Sequence, residues 1–257
     1  MKQRKTLLKT CLFGACASML ACQPVYADED GWNHNLAIYL WGTEIEANTV
    51  TGDGVTIEFS DLLDNLEMAF MGAYAARKGK WSVLADLMYA DVEGKKHYDF
   101  DPPLTGGVEG KLGLESLTIQ AGVGYELYND NEGTVTDAIV GVRYLDISNS
   151  LTLNFDVAPP ELDPEISADA SVDALDAFVG LRGKARLGKR WFLPWGTTVG
   201  AGESDLTWSV AAGIGYNAAD WADIVLGYRY MKWEMDKKEA LADYSMSGPL
   251  LGAVFRF

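Results

Sequence analysis

Hydrophobic and polar residues alternate with a period of two through much of this chain. In 116–127, SLTIQAGVGYEL, the odd positions are Leu117, Ile119, Ala121, Val123, Tyr125 and Leu127, and the even ones are polar or glycine. Successive side chains of a strand point to opposite faces, so this spacing predicts a strand with one apolar face. DLTWSVAAGIGYN (205–217) and DALDAFVGLRGKARL (173–187) repeat the pattern. Seven further candidates lie near 34–46, 67–77, 81–92, 134–146, 190–202, 222–235 and 244–257. Each of the three clearest is about as long as a tilted strand must be to cross a bilayer. No segment after the first 27 residues is an apolar run long enough for a membrane helix. The expected fold is therefore all-β: a transmembrane antiparallel up-and-down barrel of about ten strands, with eight as the alternative count.

The connections fall into two classes. Short turns, KGK, NDNEG, GK and NAADW, alternate with long connections at about 47–66, 93–113, 147–171 and 236–243; ESD at 203–205 is the short exception. Short periplasmic turns with longer outer loops are the usual asymmetry of outer-membrane barrels, and they put both termini in the periplasm. Trp32, Trp81, Trp191 and Trp221 all fall where a strand leaves the periplasmic side, and Trp195, Tyr89, Tyr144 and Tyr230 are candidates for an outer girdle. Amphipathic rings favour the membrane–water interface. Strand parity turns Asp86, Gln120, Glu126, Asp137, Arg143, Asp176, Arg182 and Arg229 toward the lumen. Buried charges must pair or meet water, so these read first as a packing network and second as a narrow polar conduit.

The leader changes the charge and the compartment. Residues 1–27 carry Lys2, Arg4, Lys5 and Lys9, a short apolar run, and Val25 and Ala27 before Asp28. That is the pattern of a cleavable secretory signal peptide, which leaves 28–257 as the barrel domain. Cys22 offers lipidation as an alternative, although MLAC puts Met and Leu where Leu and a small residue are usual. Cys11, Cys16 and Cys22 all lie in the leader, so the exported part would rely on its core or a membrane rather than on disulfides. The whole chain has net charge −16; without the leader's four bases, 17 remain against 37 acids, a net of −20. Such acidity argues against nucleic acid and bare anionic lipid, but leaves open a lipopolysaccharide surface bridged by divalent cations.

The C-terminal GPLLGAVFRF alternates to its last residue, with Ala253, Phe255 and Phe257 on one face and Arg256 toward the interior or its aqueous rim. With the leader and the alternating strands, it makes the chain resemble the small outer-membrane β-barrel proteins of Gram-negative bacteria, in a largely uncharacterised branch. The resemblance implies that Ala253, Phe255 and Phe257 form the signal read by the barrel-assembly machinery. It implies outer-membrane lipid and lipopolysaccharide as surroundings, and no particular activity.

Candidate chemistry is sparse. His34 begins the first strand, and His97 lies in KKHYDFDPP before Asp99 and Asp101, an arrangement from which an Asp–His hydrolytic pair can be imagined. The segment 148–173 carries Asp156, Glu161, Asp163, Glu165, Asp169 and Asp173 with no base, a candidate for divalent cations without EF-hand spacing. In SDLLDNL, Leu62, Leu63 and Leu66 share a helical face behind Ser60, so 60–66 reads as a rim helix or as a turn. No motif implies a cofactor or resident metal. The expectation is a non-enzymatic integral outer-membrane protein with a structural or surface-interaction role. A narrow channel for small solutes or ions is the alternative, and a loop-borne outer-membrane hydrolase the third reading.

Overall fold

The computed structural model describes residues 31–49, 54–57, 65–99, 106–157, 165–235 and 241–257, and among them it contains strands and no helix. The strands are β1 Asn33–Trp41, β2 Glu44–Thr49, β3 Gly54–Ile57, β4 Leu66–Lys78, β5 Trp81–Asp99, β6 Gly106–Asn129, β7 Val135–Val157, β8 Glu165–Arg186, β9 Trp191–Gly202, β10 Leu206–Ala219, β11 Ala222–Glu234 and β12 Leu241–Arg256. β4 through β12 pair antiparallel in chain order, β1 pairs with β4, and β1–β12 closes the ring. β1 and β2 run along the same neighbour, β12, on either side of Gly42 and Thr43. They act as one interrupted stave, so ten staves form the wall. β3 adds only to the free side of β2.

Closure uses the chain ends. Asn35 to Trp41 face Arg256 to Leu250 in register, and His34 and Phe257 exchange backbone hydrogen bonds of 2.9 and 3.0 Å. Every backbone group in hydrocarbon needs a partner, and this closure supplies one along β1 from Asn35 to Trp41. At the same rim as these ends lie the short turns. Gly79, with φ +56°, makes the two-residue connection between β4 and β5. Asp130 caps the β6–β7 turn by accepting from the backbone N–H groups of Glu132, Gly133 and Thr134 at 2.7, 2.9 and 2.9 Å.

The barrel is apolar outside, and its interior combines polar and charged side chains with an apolar layer. Along β10, Val210, Ala212 and Ile214 are exposed while Thr207, Ser209, Ala211 and Gly215 are buried. The other staves each add an exposed aliphatic or aromatic side chain: Ile38, Phe70, Val83, Val123, Val140, Val179, Val199, Ile224 and Leu251. A continuous apolar exterior around a polar lumen is what a bilayer-spanning strand barrel requires.

The wall is taller than the sequence reading expects. Residues read as long loops at 93–113 and 147–171 are mostly strand. The β5–β6 ladder runs to Asp99↔Gly107, β6–β7 to Gly106↔Val157 and β7–β8 to Asn154↔Glu165. The acidic segment 148–173 is thus largely the far parts of β7 and β8 rather than a loop. The reason is physical: a charged side chain on a strand beyond the bilayer stays in water, while backbone pairing continues to satisfy each N–H and C=O. The long connection 47–66 likewise contains the β2–β3 hairpin. The leader and most of 60–66 lie outside the described residues; Leu66 itself begins β4.

Among the described residues the β1–β4 seam of the wall is incomplete. β1 pairs with β4 over six Cα pairs, from Asn33↔Arg77 to Ile38↔Gly72. Beyond that point β1 and β2 follow β12, while the Leu66–Met71 part of β4 follows β5.

Candidate functional site

The interior is organised in levels along the strands. From the short-turn rim, β7 places Asp137, Ile139, Arg143, Leu145 and Ile147 inward, and β11 places Asp223, Val225, Arg229, Met231 and Trp233. Charges therefore sit near the rim and at mid-height, with an apolar layer beyond them.

Near the rim, Arg77 bridges Glu126 at 3.2 Å and also contacts Asp137. Arg182 donates to Asp137 Oδ2 through Nε and Nη2, both at 3.2 Å, and to Ser82 Oγ at 3.0 Å. Beside them, Arg256 pairs with Asp223 at 2.8 Å, and Asn217 donates to the same carboxylate oxygen at 2.6 Å. The Lys184 ammonium lies 4.7 Å from the centre of the Phe192 ring. Gly215 makes room for that ring: a Cβ there would come within 2.2 Å of it.

At mid-height, Asp86 accepts from the Tyr39 hydroxyl, from Gln120 Nε2 at 3.2 Å and from Arg229 Nη1 at 2.8 Å. Asp86 lies on β5 and Arg229 on β11, so their ion pair spans the lumen. The Arg229 guanidinium lies 5.1 Å from the centre of the Trp41 ring. Arg143 is fully buried and takes neutral partners. Its guanidinium donates to Gln120 Oε1 at 3.0 and 2.9 Å, to Thr207 at 2.8 Å and to Thr198 at 2.7 Å. It faces Phe178 on one side and Trp233 on another. Its Cα neighbour Asp176 instead accepts from Ser204 N at 3.0 Å and Ser204 Oγ at 2.6 Å, anchoring the β9–β10 turn.

All eight residues that parity turned inward are thus in the interior: Asp86, Gln120, Arg143 and Arg229 in one group, Glu126, Asp137 and Arg182 in another, and Asp176 at the far turn. Parity also reaches three residues that the sequence reading left out. Arg77 follows Ala73 and Ala75 on the inward side of β4, and Thr207 and Ser209 are inward on β10. No sequence signal joins Tyr39 to Asp86, 47 residues apart.

Of the aromatic candidates, Trp81 meets Tyr125, Trp191 meets Tyr216 and Trp221 meets Phe255, with ring centres 5.0, 4.9 and 6.1 Å apart, around the short-turn rim. Trp32, 48% exposed, lies beside β1 at that rim. Toward the opposite side, the Tyr89 and Tyr144 hydroxyls reach Glu115 and Asp146, both at 3.2 Å, and Tyr230 stacks on Trp208. Trp195 lies within the wall over Gly183, a Cβ of which would be 2.7 Å from the indole. Ala253 and Phe255 are half-buried and Phe257 is exposed at the rim. His34 is part of closure: Nδ1 is 2.6 Å from the Tyr74 hydroxyl and the ring stacks on Phe257. His97 pairs in the backbone register with Glu109, and its side chain, like those of Asp99 and Asp101, lies outside the described set. Among the described residues no three His, Cys, Asp or Glu side chains form a group that could hold a metal ion. Asp169 and Asp173 are exposed on β8.

An apolar exterior around an ion-paired interior in a closed ten-stave ring defines a transmembrane β-barrel protein. No protein-family model and no curated protein sequence matches the chain. Among solved structures, the outer membrane protease OmpT of Escherichia coli aligns at 10% identity and TM-score 0.45, over 91% of this chain and 99% of that one. The attachment invasion locus protein Ail of Yersinia pestis, solved with a heparin analogue, aligns at 14% identity and TM-score 0.36, over 89% and 99%. Neisserial surface protein A aligns at 12% identity and TM-score 0.33, over 89% and 100%. None of these likenesses carries a role over to this chain.

Proposed function

We propose that the protein is a non-enzymatic outer-membrane barrel, exported through its leader, whose function is to present the tall β5–β8 wall at the cell surface. Both termini and the short turns then face the periplasm, and the barrel-assembly machinery reads the closing strand. The observation that carries this reading is the contrast between a lumen crossed by side-chain contacts at successive heights and a polar outer wall. Arg182–Ser82, Asp86–Arg229 and Arg143–Thr207 bridge non-adjacent strands through the interior. On the projecting wall a polar cleft of about 670 Å³ is lined by residues that include Glu67, Asp91, Glu93, Lys111, Glu115 and Asp169. Its excess of carboxylates suits a cationic partner, or lipopolysaccharide joined through divalent cations.

Planar-bilayer recording of the refolded full chain tests this reading. No discrete openings are expected from a lumen closed by its own ion pairs. Resolved single-channel steps, abolished when the lumen is blocked, would replace the reading with that of a narrow conduit.

A further inference from the structure

We propose that the break between β1 and β4 is a lateral port through which the end of one phospholipid alkyl chain enters the barrel wall. A cavity of about 120 Å³ lies at that break, lined by Trp41, Ile45, Ala69, Met71, Val92 and Met246 among others. Among the described residues no charged side chain lines it. Of the described polar side chains in the lining, Thr43 donates to the Trp41 carbonyl at 3.1 Å and the Trp41 indole N–H donates to the Gly248 carbonyl at 3.2 Å; Ser116 is the third. Leu40 and Leu66 belong to the same lining yet are 69% and 39% exposed, so they form the mouth. Ile38, Met68 and Phe70 flank the mouth as exposed apolar side chains. The chamber is therefore continuous with the membrane-facing surface.

This continuity selects the occupant. An apolar cavity with so few polar partners does not hold water, and an engineered apolar cavity of about 150 Å³ takes benzene. A chamber of this size takes a few terminal carbons of a chain. An empty void forfeits the dispersion contacts of its lining atoms, and an alkyl end restores them without bringing a polar group inside. Because the mouth opens on the apolar exterior, the bilayer's own acyl chains are the molecules at hand. The inference goes beyond the surface-presentation reading and rests only on the bilayer placement of the apolar belt; whether the lumen conducts ions does not bear on it.

The test is photolabelling. The full chain is refolded in phosphatidylcholine liposomes containing a phosphatidylcholine with a diazirine near the chain terminus, illuminated, and its adducts mapped by mass spectrometry. Adducts are expected on the inward-facing Met71, Val92 or Met246 as well as on outward Ile224 and Leu226. Ala69→Phe, which fills the chamber, should remove the inward adducts and leave the outward ones; Ala90→Leu serves the same purpose if Ala69→Phe loses the heat-modifiable folded band. Adducts confined to outward residues would overturn the proposal, as would inward adducts that neither filling variant reduces. Inward labelling by a water-added diazirine alkane but not by the lipid probe would also overturn it, assigning the chamber to a free hydrocarbon.

Discussion

Carboxylates in the lumen and on the tall wall obey opposite rules. Inside, Asp86, Asp137, Asp176 and Asp223 are each at most 2% exposed, and each accepts at least one hydrogen bond or ion pair. Outside, Asp91 stands opposite Glu115 and Asp146 opposite Asp173 on adjacent strands, like charges in register. Water screens the second arrangement and would not be present to screen the first. Burial, not residue type, decides whether a carboxylate must have a cationic or hydrogen-bonding partner. The difference also separates what holds the barrel from what it presents.

The largest expected effect strikes the lumen. Asp86→Ala leaves Arg229 charged beneath Trp41 without its carboxylate, and should cost about 3–5 kcal/mol of folding stability, read by denaturant titration in liposomes. A result below about 1 kcal/mol would mean the lumen is wet enough to solvate Arg229, contradicting the rule for buried charges.

A packing change in the same region comes next. Gly215→Ala puts a Cβ within 2.2 Å of the Phe192 ring, which is buried. The loss should be about 1–3 kcal/mol, with Phe192→Leu in the same chain recovering part of it.

The wall should respond weakly and in the other direction. Asp173→Asn removes one of two like charges facing each other and should stabilise the barrel by at most about 0.5 kcal/mol, less in high salt. Destabilisation instead would show that Asp173 has a cationic partner in solution. Lys95→Gln breaks the exposed Glu93–Lys95 pair, 2.7 Å apart, and should leave the unfolding midpoint unchanged.

The turn rim lies between these extremes and titrates. The Thr134 side chain and backbone, with the neighbouring N–H groups, hold the Asp130 carboxyl down to about 2. An unfolded aspartate titrates near 3.9, so the folded state binds the proton more weakly. The resulting stability is complete above about pH 4 and is lost as pH falls toward 2. Asp130→Asn should flatten the stability–pH curve between those values while leaving the neutral-pH fold intact. An unchanged acid slope would remove Asp130 from its cause.

Strand parity was legible from the residues because a one-residue slip would carry a whole apolar set into the lumen. For that reason Gln120, Arg143 and Arg182 could be assigned an inward direction from their neighbours alone. Their partners could not. Arg143 stands beside Asp176 in the ladder yet bonds Gln120, Thr198 and Thr207. Asp86 finds Arg229 from 143 residues away. Such pairings depend on barrel closure and strand stagger, which no local pattern encodes. The height of β5–β8 was misread for a related reason: rising charge density marks where a strand leaves the bilayer, not where its hydrogen bonding ends.

By itself, then, the sequence determined the strand period, the sign of each face and the rim tryptophans. These follow from local geometry and the demand that hydrocarbon meet hydrocarbon. Tertiary structure alone decided which charges meet across the lumen, how far the wall projects, and that the β1–β4 ladder stops at Ile38↔Gly72. Those outcomes are sums over contacts between distant strands, fixed only once the ring is closed.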